Sequence, residues 1–109
     1  MTKFRPDDRV LSLVIPPAAE TAAIARALIA GCFVGIGDSD EVEGARREFA
    51  EFSNVTFLNA TPDQIPWHGS FFTKVIVPWN FRALMPGVQN ELMRVLAPGG
   101  EIVSNTEDV

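Results

Sequence analysis

The stretch ELMRVLAPGGEIV, residues 91–103, decides how the whole chain is read. Leu92, Val95 and Leu96 recur at the spacing of a helical face, and Met85 and Val88 extend the stripe upstream. Pro98 stops such a helix, because proline lacks an N–H and clashes with the preceding turn. Gly99 and Gly100 then permit a sharp reversal. Residues 101–105, EIVSN, read as an apolar strand. A helix from about Pro86 that turns directly into a strand is half of a strand–helix–strand unit.

The other half lies upstream. TKVIVP (73–78) is a strand rich in branched residues, as are NVTFLNA (54–60), CFVGIG (32–37) and RVLSLVI (9–15). EVEGARREFAEF (41–52) places Val42, Ala45, Phe49 and Phe52 on one helical stripe, with Arg46 and Arg47 on the solvated side. AAETAAIARALIAG (18–31) carries Ile24, Leu28 and its alanines on an apolar side, with Pro17 at the first helical position and Gly31 at the stop. The loop TPDQIPWHGS (61–70) is short for a helix, which leaves one face of the sheet thinly covered. Alternating strands and helices imply a parallel sheet with right-handed crossovers. The expected fold is α/β, a single domain over residues 1–109: a three-layer, doubly wound, Rossmann-like sheet of five mostly parallel strands, order 3-2-1-4-5.

Composition narrows the function classes. The formal net charge of −5 and pI near 4.7 repel phosphate backbones, so nucleic acid is not an expected partner. No apolar run approaches the roughly 18 residues of a membrane span. MTKFRPDDR lacks the order of a signal peptide, so a cytoplasmic protein without a membrane association is expected. Cys32 is the single cysteine and His68 the single histidine, so neither a disulfide nor a metal site is expected. The apolar setting GCFVGI makes Cys32 a buried, inert thiol. DSDE (38–41) reads as a helix cap, with Ser39 or Asp40 at the N-cap.

From Arg9 to Val103 the segment order resembles the class I S-adenosylmethionine-dependent methyltransferases, nearest their small-molecule branch. ELMRVLAPGGEIV is similar to that family's helix–turn–strand signature, NVTFLNATPDQIPW (54–67) to its third strand and loop, and FTKVIV (72–77) to its fourth strand. The resemblance implies a core that continues past strand five into a helix and a closing antiparallel pair, which residues up to Val109 do not include.

The cofactor positions depart from the pattern. Where the family ends strand one in an acid and a Gly-x-Gly-x-Gly turn, Ser12 stands at the acid and Val14, Pro16 and Ala18 at the glycines. Gly37 stands at the acid that holds the ribose, with Asp38 and Asp40 close behind. Thr61 stands at the adenine acid, and Phe72-Thr73 replaces Phe-Asp. The resemblance with these departures implies a domain without a cofactor, acting as a dimerising or partner-binding module through the edge of strand five. The alternative is an active enzyme on a small molecule, with S-adenosylmethionine contacted by Asp38, Asp40 and Thr61. A third reading makes the chain one part of a split enzyme. Pro16, Pro17, Trp67, His68, Trp79 and Asn80 are candidates for a remodelled cleft or an interface. His68 is also a candidate base near the carboxyl ends of the strands, and no catalytic residue is assigned.

Overall fold

Buried strands need apolar residues on both faces, and Val10 and Leu11 of β1 (Arg9–Ser12) supply one to each. Around it lie α1 (Ala18–Ala27), β2 (Cys32–Gly37), α2 (Ser39–Glu48), β3 (Val55–Asn59), β4 (Phe72–Val77), α3 (Pro86–Val95) and β5 (Leu96–Ser104). A computed structural model of the chain describes residues 4–77 and 85–104. The five strands pair in the order β3-β2-β1-β4-β5, every pair parallel, as the strand–helix alternation implies.

Successive side chains of a strand point to opposite faces, and each face has its own core. On one, Val10, Phe33 and Ile76 meet Ile24 and Leu28 after α1 begins, and Val42, Ala45 and Phe49 from α2 and its end. On the other, Leu11, Val34, Ile36, Val75 and Val77 meet Leu92 and Val95 of α3. The loop between β3 and β4 completes that second layer, since Ile65 is buried and Trp67 packs beside it. The face expected to be thin is covered by α3 together with this loop.

That loop is pinned by α3. Arg94 donates to the carbonyls of Ile65 and Trp67, both at 2.9 Å, and Glu91 accepts the Ile65 amide at 3.1 Å. Arg94 and Glu91 also pair with each other at 2.6 Å, which holds the Glu91 carboxyl below its ordinary value. Each hydrogen bond contributes about 0.5–1.5 kcal/mol net, discounted here because Arg94 is partly exposed. Arg94→Ala is expected to cost about 1–2 kcal/mol in urea unfolding; a change under about 0.3 kcal/mol would mean that the loop holds itself.

Several boundaries differ from the sequence reading. β1 ends at Ser12, so Leu13 to Pro17 form a loop. Pro17 is the N-cap of α1, which needs an extended residue, and the helix stops at Ala27, ahead of Gly31. Asp38, not Ser39 or Asp40, caps α2: its carboxylate accepts the Glu41 amide at 2.9 Å while Glu41 accepts the Asp38 amide. The Ala-Pro-Gly-Gly stretch lies inside β5 as a bulge. Between the pairs Phe72↔Leu96 and Lys74↔Glu101, β5 takes extra residues, accommodated by the left-handed Gly99 (φ 79). Met85 is 72% exposed and does not belong to the inner face of α3. Cys32 is half-buried, and burial pushes its thiol up.

Candidate functional site

Parallel α/β sheets take ligands outside the carboxyl ends of their strands, beside the switch in strand order. Here that switch falls between β1 and β4. The loop after β1 leads into it. Leu13 extends the ladder to β4 through a bond to the Ile76 carbonyl at 3.1 Å. Ser12 is fully buried, and its hydroxyl donates to the Val14 carbonyl at 2.5 Å, turned into its own loop. Pro16 is half-buried and Pro17 exposed. Neither has an N–H to offer, and the Pro16 carbonyl accepts the Thr21 hydroxyl at 3.2 Å.

At the tip of β2, Gly37 has no side chain, and Ile15 lies against it. A Cβ on Gly37 would meet Ile15 Cδ1 at 3.1 Å and Glu41 Oε1 at 3.3 Å. The prolines singled out in the sequence follow the residue that approaches β2; Ile15 itself carries no signal beyond standing just before them. Asp38 is engaged in its capping box, and Asp40 is exposed in the first turn of α2. At the tip of β3, the Thr61 hydroxyl donates to Asp63 at 2.6 Å, within a turn closed by Gln64 N–H on the Thr61 carbonyl. Pro16, Asp38 and Thr61 thus share the carboxyl end of the sheet.

Trp67 and His68 do not join them. The Ser70 and Phe71 amides donate to the Arg94 and Val95 carbonyls, both at 2.9 Å, which places this segment at the amino ends of β4 and β5. The loop leaves the carboxyl tip of β3 and crosses the sheet to begin β4, so a residue just ahead of β4 sits opposite the crevice. Trp67 packs on Phe71 and Phe72, with ring centroids 5.5 and 5.7 Å apart, and serves the core. His68 is exposed and stacks on Trp67. It stands far from where a base would act. Trp79 and Asn80 lie outside the described residues.

At the sheet's outer edges, Arg46 is exposed as the helical stripe implies, and it also turns Nε and Nη2 onto the Phe57 carbonyl of edge strand β3, at 3.2 and 2.8 Å. β5 forms the opposite edge among the described residues. Among those residues no group of three or more His, Cys, Asp or Glu is placed to hold a metal ion, and no helix is long and apolar enough to cross a membrane.

No protein-family model matches the chain. The demethylmenaquinone methyltransferase of Clavibacter sepedonicus is 31% identical over 100 residues, covering 88% of this chain and 40% of that protein. An Aquifex aeolicus S-adenosylmethionine-dependent methyltransferase superposes with a TM-score of 0.78 at 17% identity, covering 92% of this chain and 56% of that one. The methyltransferase solved in complex with a Haloferax volcanii methyltransferase activator gives a TM-score of 0.75 at 22% identity, over 92% of this chain and 45% of the matched one. The chain therefore has the class I S-adenosylmethionine-dependent methyltransferase fold, in agreement with the motif at residues 91–103. It spans about two-fifths of the length of its curated relative.

Proposed function

We propose that the chain is a methyltransferase-like module that does not hold S-adenosylmethionine and acts by pairing with another protein chain, as a homodimer or with a partner, through the edge of β5. The observation that carries this reading is the state of the two acid positions. The Ser12 hydroxyl is buried and satisfied by Val14, and Gly37 presents no acceptor. Asp38, the nearest substitute, already caps α2. Each buried polar group of a ligand left unpaired costs about 1–3 kcal/mol, and each 1.4 kcal/mol is about tenfold in affinity. Two or three such losses carry micromolar binding into the millimolar range.

The edges support the pairing. Arg46 occupies the middle carbonyl of the β3 edge, an obstacle to strand addition there, whereas β5 beyond its bulge runs regularly from Glu101 to Ser104. One protein of this fold was solved with an activator protein, which supports partner binding as a role open to the fold. Light scattering at high micromolar concentration is expected to give a dimer; a clean monomer would remove the homodimer.

Calorimetric titration with S-adenosylmethionine and S-adenosylhomocysteine tests the first half. No saturable binding tighter than about 100 micromolar is expected, on the affinity arithmetic above. Tighter binding would instead favour an active methyltransferase of a small molecule, with Asp38, Asp40 and Thr61 at the cofactor. The 31% identical methyltransferase is what supports that second reading.

A further inference from the structure

The crevice lacks the acids of the family pattern, and Ile15 narrows it at the tip of β2. Ile15 Cδ1 and Cγ1 stand 3.1 and 3.4 Å from the point where a side chain at Gly37 would begin. Ile15 is half-buried and packs against the core under α1 and α2. Its backbone has little freedom to withdraw. A residue before proline is restricted to extended conformations, and the following Pro16 is tied by its carbonyl to Thr21. On the other side of the same point stands Glu41 Oε1, at 3.3 Å, held in the capping box with Asp38.

We infer that Ile15 is the specificity-determining residue of the crevice: its side chain fills the space over Gly37, so that adenosyl ligands are excluded by volume. The inference rests on the reading that the chain does not hold the cofactor, and it names the residue responsible. It also gives a reason for the glycine at the tip of β2. A larger residue there needs the Ile15 side chain to give by a few tenths of an ångström, and an acid would add a second carboxylate beside Glu41.

Restoring an acceptor at position 37 should therefore achieve nothing while Ile15 stays. Asparagine supplies an acceptor without a charge against Glu41. Calorimetry with S-adenosylhomocysteine would compare the unaltered chain, Ile15→Ala, Gly37→Asn and the double variant. The double variant is expected to bind at least tenfold more tightly than either single one, a non-additive gain that marks a shared site. Gly37→Asn alone binding as tightly as the double variant would overturn the inference. So would a folded double variant that binds no better than the unaltered chain, an outcome that leaves the proposed loss of the cofactor standing. Tight binding by the unaltered chain would refute both. If the double variant does not fold, thermal melts decide. Gly37→Ala should lower Tm by several degrees with Ile15 present and by much less in Ile15→Ala. Equal lowering in the two backgrounds would show that Ile15 does not occupy this space.

Discussion

Asp8→Ala is expected to destabilise the chain by about 3–5 kcal/mol, the usual cost of leaving a buried charge without its partner. Asp8 is 4% exposed, and its carboxylate accepts the Arg5 amide at 2.8 Å and the Thr73 hydroxyl at 2.9 Å. Lys74 lies 3.3 Å away with a side chain only 14% exposed. The cluster ties the segment before β1 to the start of β4, and the Asp8 carbonyl also receives the Cys32 amide at the start of β2. A small domain has only about 5–15 kcal/mol of stability in total, so the variant should melt far below the unaltered chain or fail to fold. A loss under about 1 kcal/mol in urea unfolding would mean that water reaches Lys74 freely.

The same group sets a pH dependence. Burial pushes the Asp8 carboxyl up, but the Arg5 amide, the Thr73 hydroxyl and the Lys74 ammonium outweigh it and hold the group below its ordinary 3.8. A depressed folded value means that the unfolded chain binds the proton more readily. The contribution is complete above the unfolded value and is lost as pH falls through the folded one. Stability should therefore decline below about pH 4, with Glu91 adding to the slope, and Asp8→Asn should flatten that part of the profile. An unchanged acid limb in Asp8→Asn would assign the decline to other groups.

Phe72→Ala is the second large effect, at about 3–5 kcal/mol. Phe72 is fully buried at the start of β4, edge-on to Phe71 at 5.0 Å and beneath Trp67 at 5.7 Å. Its removal would leave a cavity under the loop that carries Trp67. His68→Ala, on the exposed side of the same stack, should change stability by less than about 0.5 kcal/mol. The contrast checks the placement of this aromatic group in the core. A large loss from His68→Ala with a small one from Phe72→Ala would reverse it.

The architecture was legible because it rests on periodicity. Branched runs marked all five strands, and the stripe Val42, Ala45, Phe49 marked the buried side of α2. Local turn chemistry was less legible. Asp38 was passed over as a cap, although its spacing to Glu41 is that of a capping box, and the Pro-Gly-Gly turn proved to be a bulge within β5. Contacts between distant residues left no local trace. Nothing near Asp8 announces Thr73 or Lys74, and nothing near Arg46 announces the Phe57 carbonyl. His68 belongs at the amino ends of the strands, and the expected parallel sheet already implies it: the connection from β3 must cross back to begin β4, so a residue just ahead of β4 lies opposite the crevice. At the crevice, the missing glycines and acids were visible residue by residue. That Ile15 fills the vacated space depends on the course of the loop.

The most direct test of the closed crevice is a nuclear magnetic resonance titration of the 15N- and 13C-labelled chain with S-adenosylhomocysteine, followed at the Gly37 and Asp38 amides and the Ile15 methyls. The account predicts no saturable shift with a midpoint below roughly the millimolar range. Saturable shifts at Gly37 and Ile15 with a midpoint in the low micromolar range would contradict it.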